Sequence, residues 1–154
     1  LLDTLGAGRI HYAGGEAFRY RLYENELTVL AQGKVAAANR VRFAPAEQNP
    51  FAPGVFENDT HVGTLYGFGP FAGRAAVGAL LAAAEQQPNV RTGASLLFRS
   101  GLAATVLGRS AWDVQQTLLA MARALTVFAR EHAPRGCAPF AWPGWLHFEY
   151  CNQG

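Results

Sequence analysis

Apolar and polar positions alternate through much of the first half of the chain, then recur at helical spacing in the second. Phe18, Tyr20 and Leu22 alternate with Arg19 and Arg21, which predicts a half-buried strand over residues 17–23. Residues 9–12 read as a short strand closed by Gly14 and Gly15, after an apolar lead-in over residues 1–8. Asn25 reads as a turn, residues 27–30 as a strand, and Gln32 with Gly33 as the next turn. A further strand is predicted over residues 35–43, with Val41 and Phe43 on one face and Arg40 and Arg42 on the other. Strands joined by loops this short pair antiparallel in a meander. Pro45, Asn49, Pro50 and Pro53 cannot sit inside a ladder, so residues 45–53 are a loop.

From residue 60 the pattern changes. Residues 60–68 read as a strand, and Pro70 falls where the first turn of a helix tolerates a missing N–H. The alanine-rich stretch 72–86 predicts a helix with Ala76, Leu80, Ala83 and Ala84 on its inner face. Residues 90–98 and 102–107 form a hairpin about Ser100 and Gly101. Ser110, with Asp113 three residues on, marks a helix start. Val114, Leu118, Met121, Leu125 and Phe128 then recur at spacings of four and three, with Gln115, Gln116, Arg123 and Arg130 off the stripe. This helix ends near His132, before Pro134, and a Trp- and Pro-rich tail over residues 136–154 closes on a short apolar run at 145–150.

The expected fold class is therefore α+β and β-rich. An antiparallel meander or layered sheets come first, followed by a β-α-β-β-α unit with two packed helices. The second half has the element order of a split βαβ, ferredoxin-like unit. A chain of 154 residues is expected to be one domain over 1–154.

Composition narrows the partners. Half of the residues are hydrophobic and 16% charged, so part of the surface is expected to be hidden against a partner. The net charge is +2, and of the 13 basic residues only Lys34 is a lysine, the arginines being scattered; no nucleic-acid footprint is expected. Apolar runs are broken by Arg, Gln or Gly well before the roughly 18 residues of a membrane span, so no membrane partner is expected. Cys137 and Cys151 are read as free thiols and the chain as cytoplasmic. Leu1 and Leu2 in place of a methionine point to a processed or truncated product.

Three groups of residues could carry chemistry. Gly67, Gly69 and Gly73 follow a strand and open a helix, as in a dinucleotide loop, and Arg99 stands where a 2′-phosphate could be met. Pro70 argues for a plain strand-to-helix turn instead, since it removes a donor from the phosphate cradle. His147, Glu149 and Cys151 alternate and would share one face of a strand, an imidazole–carboxylate–thiolate set suited to Ni²⁺ or Zn²⁺, with Cys137 as a fourth ligand. Glu57 and Asp59 precede His61 and read either as an acid–base pair in a cleft or as a polar turn. Ser95, Ser100 and Ser110 lack a nucleophile-elbow context. Trp142 and Trp145 either anchor a partner or cap the core.

The chain resembles the urease accessory family UreD, also called UreH, in its C-terminal portion. Gly8 and Arg9, with Gly15, Glu16 and Phe18, are similar to the family's opening stretch. Leu27, Thr28 and Val29, then Gly33, then Asn39 to Arg42, are similar to its strand–turn–strand. Pro53 and Val55, then Gly63, Thr64 and Leu65, then Gly69 and Pro70, follow its next run, and the later hairpin and helix keep its order. The resemblance covers about residues 6–131; Asn39 replaces a usual Asp, which is expected to remove a salt bridge, and the tail from Gly136 matches nothing in the family. It implies a C-terminal part of a UreD-like protein. It also implies a non-enzymatic scaffold of layered β-structure with two helices. Such a scaffold binds UreF-like and UreG-like accessory proteins and assists nickel delivery to apo-urease, with no resident cofactor and nickel in transit. Two other readings stay open: a nicotinamide-dependent oxidoreductase built on Gly67, Gly69 and Gly73, and a small metal-binding module built on the tail.

Overall fold

The structure is a computed structural model that describes residues 1–8, 16–31, 33–98, 101–132 and 148–151, the last four and Ala31 as backbone only. Its elements are β1 (Leu2–Gly6), β2 (Tyr23–Ala31), β3 (Lys34–Phe43), β4 (His61–Phe68), α1 (Arg74–Glu85), β5 (Val90–Leu97), β6 (Gly101–Gly108), α2 (Ala111–Glu131) and β7 (Phe148–Cys151). They form two antiparallel sheets, ordered β1-β4-β6-β5 and β3-β2-β7. The β-rich α+β class with two packed helices is what the chain adopts.

The larger sheet lies between two layers. On one side Leu65, Leu102, Ala104 and Val106 meet Ala76, Leu80 and Ala84 of α1 and Val114, Leu118, Met121 and Leu125 of α2. On the other, Leu5, Val62 and Leu107 pack with Phe18, Phe43 and Phe56, which fill the space toward the smaller sheet. Period two on β4 produces this division: Gly63, Leu65 and Gly67 face the helices, while Val62, Thr64 and Tyr66 face the other sheet.

Glycine is required on β4 by close approach. A Cβ at Gly63 would run into the Leu118 side chain and lie 3.0 Å from Val114, and one at Gly67 would lie 2.8 Å from Leu125. Four residues of strand span about 13 Å and seven of helix about 10.5 Å, so α2 can run along β4 and seat one leucine over each glycine. The sequence pattern points to glycines that admit the alanine-rich helix; the side chains they admit come from α2.

The second half keeps the split βαβ order. β4 and β5 are parallel with β6 between them, each neighbouring pair being antiparallel. The fourth strand, which in such a unit would follow α2, is instead β1, paired from Leu2↔Leu65 to Gly6↔His61. The last strand, β7, joins the smaller sheet through Leu27↔Tyr150. A simple meander is thus replaced by two sheets, because the residue 1–8 lead-in finds a partner in β4 rather than in its sequence neighbour.

Residues 17–22 are turns, not a strand. Phe18 takes a left-handed φ of 57°, and its N–H donates to Ala7 O at 2.7 Å, which bends the chain away from any ladder. The alternation survives as burial only in part: Phe18 is inside, Tyr20 half-buried and Arg19 and Arg21 exposed, but Leu22 is exposed as well. Asn25 is not a turn residue; it lies inside β2 opposite Val41. Its buried amide is kept there by donating to Asp3 Oδ2 at 2.6 Å and Tyr23 Oη at 3.2 Å, although its Oδ1 finds no partner. Gly33, with φ +71°, makes the β2–β3 turn as expected.

Pro70 lies outside the helix. It is the second residue of a turn closed by Ala72 N–H to Gly69 O at 3.0 Å, and α1 is capped at Gly73 without a side-chain hydrogen bond. At α2, by contrast, Ser110 Oγ accepts from Asp113 N–H at 3.3 Å, and the helix ends at His132.

The two sheets are joined by side chains as well as by apolar packing. Asn39 Nδ2 donates to Tyr66 Oη at 2.8 Å, so the position where the family usually has Asp holds an inter-sheet hydrogen bond. Replacing Tyr66 by Phe removes that acceptor and is expected to cost about 1 kcal/mol, checked by urea denaturation.

Candidate functional site

Two features stand out on the side of the larger sheet away from the helices. The first is a cavity of about 270 Å³ between the sheets. Its apolar wall includes Leu5, Phe43, Val62 and Leu107, and its polar residues are Asp3, Tyr23, Asn39, Arg42 and Thr64. Sequence reasoning does not find it, since Asp3 belongs to a segment read as a lead-in and meets Asn25 and Thr64 only through sheet pairing.

The second is an ion-paired clamp on the loop after β3. Arg91, on β5, donates through Nε to Asp59 Oδ2 at 2.8 Å, through Nη1 to Glu57 Oε2 at 2.8 Å and through Nη2 to Phe56 O at 3.3 Å. Arg109 Nε donates to Asn58 O at 3.1 Å, and Thr60 Oγ1 donates to Arg109 O at 3.0 Å. Asp59 is 8% exposed, and the guanidinium 2.7 Å away offsets the cost of burying its carboxylate. The two carboxylates singled out in the sequence are therefore brought together, but as acceptors of one arginine in a polar turn. His61 begins β4 beyond them, with Nδ1 3.0 Å from Thr60 Oγ1.

The Glu57 carboxyl is held below the usual carboxylate range, first by the Gly54 N–H and then by the charge of Arg91. A lowered folded-state value means that the stability from this group is present above its ordinary value of 4.5 and is lost as pH falls through the lowered one. The difference in melting temperature between the wild type and Glu57→Gln should therefore shrink on acidification. The clamp also ranks the arginines. Arg91→Met should lower the denaturation midpoint more than Arg42→Met, because Arg42 pairs only with the exposed Glu47 at 3.2 Å.

The glycine turn is shaped for packing. Gly67 sits under Leu125, and the space a Cβ would take at Gly69 is filled by the Phe71 ring at 2.5 Å. That ring stands against the Cβ side of Gly69, where a dinucleotide loop leaves its glycine open to the ligand. The crossover also differs from a dinucleotide unit, since β6 separates β4 from β5. Arg99, His147, Cys137, Trp142 and Trp145 lie outside the described residues. Glu149 and Cys151 fall opposite Thr28 and Glu26 in the ladder, but their side chains are outside the described ones too. Among the described residues, no three His, Cys, Asp or Glu side chains are grouped to hold a metal, and no helix is long and apolar enough to cross a membrane.

Fold and clusters together define a three-layer α+β scaffold whose polar groups chiefly tie one layer or loop to another. The family model described as UreD urease accessory protein matches residues 1–143, and the chain belongs to that family. No curated protein matches the chain. The match runs past both ends of the 6–131 resemblance, so the first part of the tail, through residue 143, also belongs to the family pattern.

Proposed function

We propose that this chain is a non-enzymatic scaffold that binds UreF-like and UreG-like accessory proteins and assists delivery of nickel to apo-urease. The observation that carries the reading is the family match over residues 1–143. The architecture supports it. A sheet covered on both faces, with a loop clamped by Arg91, gives a stiff body on which partners can be held in fixed relation. Nickel is the cargo of such an assembly rather than a resident cofactor.

The test is co-expression of the tagged chain with UreF-like and UreG-like proteins, followed by affinity capture and urease activation in nickel-containing extract. Both partners should co-elute, and activation should require the chain. A folded chain that retains neither partner and leaves activation unchanged overturns the reading.

A further inference from the structure

Residues 17–21 and the loop 45–51 enclose an open groove of about 570 Å³. Phe18 and Tyr20 line it together with Pro50 and Phe51, while Arg19 and Arg21 stand exposed beside them. Three features coincide at this groove. Phe51 is 59% exposed although its ring packs edge-on against Phe18 at 5.7 Å, so a large aromatic face is presented to solvent. Tyr20 has its hydroxyl buried with no hydrogen-bond partner. Two cations without a carboxylate also stand at its edge: Arg19 and Arg21, like Arg74, Arg109, Arg123 and Arg130 elsewhere, have no ion pair among the described residues, whereas Arg40, Arg42 and Arg91 do. Glu47, on the adjoining loop, is already taken by Arg42.

Exposed aromatic surface beside arginines without an ion pair is the composition of an interface centre, where Tyr, Trp and Arg dominate the energy. Alternate side chains of an extended peptide point to opposite sides, so one strand of chain can place apolar groups on Phe51 and Pro50 and carboxylates beside the arginines. Arginine clusters recognise acidic motifs in this way.

We infer that the Phe18–Arg21 and Pro50–Phe51 groove docks an acidic peptide segment of a partner protein, its apolar side chains on Phe51 and its carboxylates on Arg19 and Arg21. The inference stands on the groove alone and does not depend on which accessory proteins the chain serves.

The experiment is fluorescence polarisation with a short labelled peptide that alternates glutamate with leucine, added to the full chain. Saturable binding is expected, and it should weaken as salt is raised. Arg19→Glu with Arg21→Glu should weaken binding by about tenfold or more, and Phe51→Ala by about fivefold. Arg123→Glu with Arg130→Glu, on the exposed side of α2, should leave it unchanged. Circular dichroism melting of each variant establishes that it is folded. Absence of saturable binding overturns the proposal. So does equal loss on reversing Arg123 and Arg130, or equal binding of a peptide with lysine in place of glutamate. A concentration-dependent dimer that the Arg19 and Arg21 reversal abolishes would overturn it too, by assigning the groove to a second copy of the chain.

Discussion

Leu118→Ala is expected to destabilise the protein by about 3 kcal/mol, and adding Gly63→Ala to it should recover part of that loss rather than deepen it. Leu118 is 1% exposed within the core between α2 and the larger sheet, so its truncation leaves a cavity that rigid neighbours cannot close. Gly63→Ala alone should cost about 2 kcal/mol, because the new methyl meets Leu118 and approaches Val114 to 3.0 Å and Thr4 to 3.3 Å. In the double variant the methyl enters the space that Leu118 vacates. Guanidinium denaturation of the four proteins measures the coupling, and simple additivity would show that α2 does not seat on β4 as described.

Phe56→Ala should cost about 3 kcal/mol, whereas Phe51→Ala, five residues earlier on the same loop, should stay near 0.5 kcal/mol. Phe56 is 6% exposed and centres the inter-sheet cluster, with ring centroids 4.8 Å from Phe18 and 5.6 Å from Phe43. Its carbonyl also accepts from Arg91 and from Asp59 N–H, so the side chain positions the loop end that the clamp then fixes. Among the described residues Phe51 meets one ring, that of Phe18, and it is mostly solvated. Thermal denaturation separates the two cases. Comparable losses would mean that the loop is held by its aromatic surface as a whole, not by one buried anchor.

What the sequence discloses here depends on how locally each element is determined. The α2 stripe and the Ser110 cap are both local patterns, and both appear at the expected residues. So do β3, β4 and the hairpin of β5 and β6, whose side chains alternate around short turns. Residues 17–22 mislead because burial alternation does not require a ladder partner; one positive φ at Phe18 redirects the chain. Leu2–Gly6 escapes notice because Asp3 and Gly6 are poor strand formers, and only pairing with β4 makes the segment a strand. Asn25 has turn propensity in isolation, yet Asp3 and Tyr23 accept from its amide Nδ2 inside β2. At the candidate site, Glu57 and Asp59 are visible as a cluster, but Arg91, distant in sequence, decides that they form a clamp. Similarly, the family-like Gly63, Thr64 and Leu65 identify the chain by their order, while their roles appear only in three dimensions. Gly63 receives Leu118, Thr64 lines the cavity and Leu65 enters the helix-side core.

The strand supplied from the front of the chain sets an order of events in folding. β4, α1, β5, β6 and α2 are contiguous in sequence and contain the helix-side core, so their contacts close short loops. β1 reaches β4 only after the whole β2–β3 hairpin and the clamped loop have been bridged. The nucleus is therefore expected in the second half, with the Leu2–Gly6 edge docking onto it later and opening before it. Hydrogen exchange at the amides of β1 reads that opening separately from global unfolding.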